Sequence, residues 1–452
     1  MGRCADPLVT EGDSQNEGSL LGLALLALVA GAVAGLVGAV FRLSLMLADQ
    51  FRNALITWAH GREGLGFLLV VGVCAGATAI AAWLVRRYSP HAAGSGIPHV
   101  EAVLHGELPP IPFRVIPVKF FGGLLAIGAG LALGREGPTV QMGASLAHLV
   151  GKIFGRSWPD CRVLIAAGAG AGLGTAFNAP IAGAVFVLEE LVQRFERRIA
   201  IAALCASATA IGVARLLIGD TPDFSVAGLG YGDAETRPLY FVFGALAGLL
   251  AVAYNRALPA LRAAARRLIF ASVDLRAGLA GAVVGGLGWF APGLIGGGDS
   301  ITQSVLTGGA PLVAIPAAFL IRFALGAVSY AAGTPGGLFA PMLVLGAQFG
   351  FLCGAVCGVL EPYVNVLHVQ PEAFAVVGIA AFFTGVVRAP VTGIVLATEM
   401  TGSVTMLLPM LCACATAMLV ASLLKDPPIY ESLRERALPA DEAAATARNR
   451  PA

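Results

Sequence analysis

Gly134-Arg135-Glu136-Gly137-Pro138 places an arginine and a glutamate inside one of the most apolar parts of the chain. No charge occurs from Phe120 to Gly134 before it, or from Gly137 to Ala147 after it. An ionised carboxylate is expensive in hydrocarbon, so one found there marks a functional position. The glycines allow unusual dihedrals and close backbone approach, and Pro138 suits the first position of a helix. The stretch therefore predicts an irregular break feeding a helix N-terminus, whose unpaired amides and positive dipole attract anions.

The surroundings fit that reading. Of 452 residues, 57% are hydrophobic and 12% charged, where soluble domains carry about 25% charge. The mean hydropathy of +0.81 places the chain in membrane lipid. A net charge of +2 gives no support for a nucleic-acid partner. The eight cysteines are scattered, many in apolar runs, as Cys353, Cys357, Cys412 and Cys414 are. They read as packing thiols, with no metal set and no disulfide framework. The first nineteen residues are polar and acidic (Glu11, Asp13, Glu17), unlike a cleaved leader, so the first apolar segment is expected to remain as a membrane element.

Spanning the hydrocarbon takes about 20 apolar residues. Ser19 to Phe41 qualifies, with Gly31 and Gly35 spaced for close helix packing. Leu65 to Val85 is a second span, stopped by Arg86-Arg87. Later runs are shorter or interrupted; Phe323 to Leu360 is broken at Gly333-Thr334-Pro335-Gly336-Gly337. Irregular backbone at membrane depth survives only where it is buried in protein or lines a wet cavity. The pattern is that of a multi-span carrier or pore with broken helices.

An internal repeat organises the chain. Ala179-Pro180, Gly183, Val185 and Glu189 recur 210 positions later as Ala389-Pro390, Gly393, Val395 and Glu399. Upstream, the pentad ending at Pro138 is echoed, at a shift of 203, by Gly337-Leu338-Phe339-Ala340-Pro341. Two motifs in the same order predict an all-α polytopic membrane protein built of two inverted-topology repeats with broken and re-entrant helices. We expect a polar segment at 1–18, repeats at 19–219 and 239–424, a linker at 220–238, and a short helix with a disordered tail at 425–452.

Two further stretches carry chemistry. In Gly94-Ser95-Gly96-Ile97-Pro98, Ser95 can cap a helix or donate its hydroxyl. After Lys425-Asp426-Pro427-Pro428-Ile429, Tyr430 falls in the first turn of a final helix. Gly-Ser-Gly-Ile-Pro, Gly-Arg-Glu-Gly-Pro and Gly-x-Phe-x-Pro, in this order, resemble the selectivity-filter motifs of CLC chloride channels and chloride/proton exchangers. The resemblance runs from about Leu20 to Tyr430.

The resemblance implies that Ser95 and Tyr430 offer hydroxyls, and Leu338 and Phe339 backbone amides, to a chloride ion. It makes Glu136 the gating glutamate, which competes with the anion and swings away on protonation, and Glu190 the proton relay from the cytoplasmic side. Such members work in the cell membrane, here a bacterial inner membrane, as homodimers in lipid, carrying chloride and protons with no cofactor. Glu190 favours exchange over a passive channel of the same fold. Ser95 favours chloride over nitrate or fluoride. Glu101 resembles a family carboxylate near the proton route, with Lys119 or Arg114 as candidate ion-pair partners; no function attaches to His99.

Taken singly, these residues have plainer roles. Ser95 would cap, Tyr430 would anchor at the interface, and Glu189 would sit at a solvated helix end beside Arg194, Arg197 and Arg198. Glu399 and Arg388 would pair within the second repeat, and Arg135 would raise the local positive potential. A membrane-embedded enzyme, the remaining class, needs a nucleophile with its base or a metal cluster, and the six histidines form no such motif.

Overall fold

A computed structural model describes residues 19–226, 228–229, 236–268, 272–361 and 369–435. The N-terminal polar segment, part of the inter-repeat linker and the tail after 435 lie outside them. The described residues form α-helices with short irregular links. The first half holds α1 (Leu20–His60), α2 (Glu63–Tyr88), α3 (Ile97–Leu104), α4 (Val115–Gly128), α5 (Glu136–Ile153), α6 (Trp158–Phe177), α7 (Pro180–Phe186) and α8 (Arg197–Ile218). The second repeats the order as α9 (Arg237–Leu268), α10 (Val273–Phe290), α11 (Asp299–Leu306), α12 (Ile315–Ala331), α13 (Phe339–Leu360), α14 (Pro371–Val387), α15 (Pro390–Thr401) and α16 (Leu407–Leu423). One helix, α17 (Ile429–Glu435), follows. Among the described residues, six helices are long and apolar enough to cross a membrane.

Small residues set the packing in both halves alike. On α1, Gly31 and Gly35 lie against Ala206 and Ala210 of α8; on α9, Gly244 and Gly248 lie against Ala413 and Ala417 of α16. Gly143 meets Gly168 between α5 and α6, as Gly346 meets Gly378 between α13 and α14. None of these contacts leaves room for a Cβ, so backbones approach closely where lipid gives helices little other reason to associate. Both α6 and α14 end in left-handed residues, Asn178 (φ 51°) and Arg388 (φ 75°). Pro180 and Pro390 then open the next helices.

The halves are related as inverted repeats and clasp one another. The N–H of Gly134 donates to the Gly337 carbonyl at 2.9 Å, and the N–H of Gly337 donates back at 2.8 Å. Glu189 accepts from the N–H groups of Val391 and Thr392 (3.0 and 2.6 Å) at the start of α15. Glu399 accepts from Ile181 and Ala182 (3.1 and 2.8 Å) at the start of α7. Each carboxylate thus satisfies orphan amides of the opposite repeat. This corrects two expectations: Glu189 is not a solvated helix end, and Glu399 does not pair within its own repeat. Arg388 likewise bonds to Asp426, beyond the second repeat, through its carbonyl at 2.9 Å.

The first span also differs from expectation. It does not stop at Phe41 but continues to His60. The charges beyond Phe41 are met inside the protein: Arg42 pairs with Asp223 at 2.6 Å, and Arg52 pairs with Asp49 at 2.5 Å. Of the described cysteines, Cys161 is disulfide-bonded, contrary to the reading of all eight as packing thiols.

Candidate functional site

The two pentads start α5 and α13, and the Gly134–Gly337 bridge sets these starts face to face. Each helix begins at the third residue of its pentad, Glu136 or Phe339, so Pro138 and Pro341 stand third in their helices rather than first. Proline is tolerated there because first-turn N–H groups have no intrahelical acceptor.

Glu136 is fully buried. Its Oε1 accepts from the N–H of Phe339 at 2.8 Å and of Ala340 at 3.3 Å, while Oε2 has no partner. The carboxylate therefore occupies the amides that open α13. Leu338, the cap of that helix, and Phe339 are buried and apolar. The Phe339 ring packs on Phe177, Phe186 and Phe383 at centroid distances of 5.4, 6.1 and 4.3 Å. What these residues can offer a polar guest is main chain.

Ser95 adjoins this point. A Cβ on Gly137 would come within 2.7 Å of its Oγ, which is why glycine stands there. The cap of α3 is Gly96 (φ 86°), not Ser95. Instead the buried Ser95 hydroxyl has no partner. Lys119, also fully buried, donates to the carbonyls of Gly94 (2.6 Å) and Ser95 (3.1 Å). It holds the loop by its backbone and leaves the hydroxyl free.

Tyr430 is the second residue of α17, fully buried, with its hydroxyl also unpartnered. Its phenol lies within reach of the charges of both Glu136 and Glu190. Buried polar groups are nearly always hydrogen-bonded. Ser95 beside the start of α5 and Tyr430 on α17 thus carry orphan hydroxyls, donors without a full positive charge. Donors of this kind can hydrogen-bond a small anion.

Glu190 is buried on a π turn, Val187–Leu191, that ends the helix begun by α7; such turns concentrate at functional sites. No hydrogen bond joins it to Glu136. Glu101 pairs with neither Lys119 nor Arg114: its Oε1 accepts from Arg434 at 2.6 Å. His99 stacks on His91 at 4.7 Å and is held by Gln141 at 2.9 Å. Arg135 is not a free source of positive potential, because it bonds Asp223 (3.1 Å), Asp299 (3.3 Å) and the Ala176 carbonyl (2.8 Å).

Two cavities approach the site. One of about 610 Å³ is lined by Asp49, Arg52, Gly134, Arg135, Asp299 and Ala340. The other, about 280 Å³, reaches Ser95 past His91, His99, Arg262 and Arg434. Arg434 carries no motif and escapes the sequence reading, and Lys119, a candidate partner for Glu101 there, instead holds the Gly94-Ser95 backbone. The one available signal for Lys119 was its position as the only charge between Val115 and Gly134.

The family description "Voltage gated chloride channel" matches residues 77–422. The chain belongs to the voltage-gated chloride channel family. Among relatives, the H(+)/Cl(-) exchange transporter ClcA of Vibrio parahaemolyticus is 36% identical over 430 residues, covering 92% of this chain and 90% of its own. ClcA of Salmonella arizonae is 34% identical over 442 residues, with 96% and 93% covered. The crystal structure of a slow cyanobacterial Cl-/H+ antiporter superposes with a TM-score of 0.88 at 31% identity, over 94% of this chain and 99% of that one. A CLC-type fluoride/proton antiporter shares the fold at 24% identity, with a TM-score of 0.75 over 92% and 98%. With family membership and its apolar helices, the chain is an integral multi-pass membrane protein.

Proposed function

We propose that this family member is a chloride/proton antiporter, working in a bacterial inner membrane, in which Glu136 alternates with chloride at the start of α13. The observation that carries this is the buried Glu136 carboxylate on the Phe339 and Ala340 amides, in a protein whose buried Ser95 and Tyr430 hydroxyls are left without partners. An ionised carboxylate makes charge-assisted bonds to these amides; once protonated it forfeits most of that advantage and yields the place to an anion. Amides and hydroxyls bind chloride without the deep trap of a lysine charge, so the ion can leave.

In this proposal Leu338 and Phe339 supply main-chain donors, Ser95 and Tyr430 hydroxyls, and Glu190 takes protons from the cytoplasmic side. Chloride and protons are cargo; no cofactor, nucleic acid or catalytic chemistry enters. In this reading every donor comes from one chain, so the homodimer expected from the family would carry one pathway per subunit. Reconstituted vesicles test the proposal. A chloride gradient should drive uphill proton movement, lost in Glu136→Gln. Chloride flux with no proton movement in the wild type would instead make the protein a passive channel.

A further inference from the structure

Arg434 lies four residues after Tyr430 on α17, so both side chains lie on the same side of a short helix. It is 8% exposed, and its NH1 donates to Glu101, itself 1% exposed, at 2.6 Å. Its Nε lies 3.5 Å from Glu107 Oε2. Glu101 stands on α3, the helix whose start carries Ser95. The opposite end of α17 is tied down separately. Asp426 accepts from Asn255 at 2.9 Å and from Arg256 at 3.3 Å, both on α9. The last helix is thus pinned to the second repeat before Tyr430 and to the first repeat after it.

Arg434 also stands in the wall of the cavity that reaches Ser95. The charges of Glu101 and Arg434 also reach Glu190.

We propose that Arg434 is a positioning residue coupling the chloride and proton paths: its ion pair with Glu101 latches α17 to α3, fixing the Tyr430 hydroxyl relative to that of Ser95. This rests on the antiporter function proposed above. Without the guanidinium, Glu101 loses its counter-charge beside Glu190, and the two hydroxyls are no longer held by a common strut.

The test uses full-length protein, with chloride affinity measured by titration calorimetry and protons per chloride measured in vesicles. Arg434→Gln should weaken chloride binding about five- to tenfold, the equivalent of one well-placed hydrogen bond, and lower the proton:chloride ratio. Arg434→Lys, which keeps the charge, should recover much of both. Wild-type affinity and ratio in a folded Arg434→Gln protein would overturn the latch, whatever happens to its melting temperature. If that variant does not fold, Glu101→Gln, close in shape and equally uncharged, replaces it. Losses in affinity and ratio there support the latch, and wild-type values overturn it. Should the wild type move no protons, the antiporter function fails by itself, and the affinity readout still decides on the latch.

Discussion

Glu136 in the first half and Phe339 in the second hold the same place in two matched pentads, and the N–H of one bonds the carboxylate of the other. The same inequality recurs elsewhere. Ser95 stands before Gly96 at the start of α3, where the matching loop before α11 has Gly297 before Gly298, with left-handed φ values of 86° and 95° at the shared glycine. Glu190 lies on a π turn, while its counterpart Met400 lies on the unbroken α15. Beneath the loops the halves agree again. Arg322 donates to the carbonyls of Leu294, Gly296 and Gly297 at 2.7–3.1 Å, as Lys119 does to Gly94 and Ser95. Backbone devices, the cations under the loops and the Glu189/Glu399 clasps are duplicated, whereas the Glu136 carboxylate, the Ser95 hydroxyl and Glu190 each occur in one copy. At the pentads the second half serves the first as a set of donors.

The largest expected break in this comparison is at the pentads. Glu136→Gln should reduce chloride-driven proton uptake to background, while Phe339→Leu, which leaves the amide in place, should preserve the proton:chloride ratio. A Phe339→Leu protein that transports no protons would show that the second copy contributes more than backbone.

Next come the cations under the loops. Lys119→Met and Arg322→Met each strand buried carbonyls, at about 1–3 kcal/mol per group, and both should lower the melting temperature. Only Lys119→Met should also weaken chloride binding, because only its loop carries a hydroxyl. Equal effects on chloride binding would erase the distinction between the two loops.

The reciprocal clasps follow. Glu189→Ala and Glu399→Ala each leave helix-start amides unpaired and should destabilise by a similar ~1–3 kcal/mol, measured by thermal unfolding. Glu189→Ala alone should alter proton transport, since Glu190 is its neighbour on the π turn. The smallest effect is expected at the exposed Arg86–Asp274 pair between α2 and α10, 2.5 Å apart. Arg86→Ala should leave both stability and transport unchanged.

Much of this frame was legible in the chain because its signals are local. Uncharged runs, a proline closing each pentad and the matching pentads expose the helix starts, and the residues flagged by motif (Ser95, Glu136, Phe339, Tyr430) are all buried. What escaped depends on partners far away in sequence. Arg42 looked like the end of a span because Asp223, which receives it, lies in the linker. Glu399 looked self-contained because its acceptor bonds go to α7. Arg434 sat in a terminal helix without a motif of its own, and nothing near it announces Glu101, 333 positions earlier. Charge pairs across such separations leave no periodicity to read.

The Gly134–Gly337 bridge bears on how the proposed gate can originate. When a half-length ancestor is doubled, the two copies of a pentad come to oppose each other, and the third residue of one can reach the other copy's amides, as Glu136 does. Two identical glutamates would crowd one seat with like charges; two phenylalanines would leave it ungated. A single codon change in either copy is then enough to separate gate from receptor, with no alteration to the surrounding helices. Divergence at one position, rather than invention of a new element, suffices to set a carboxylate on the other copy's amides.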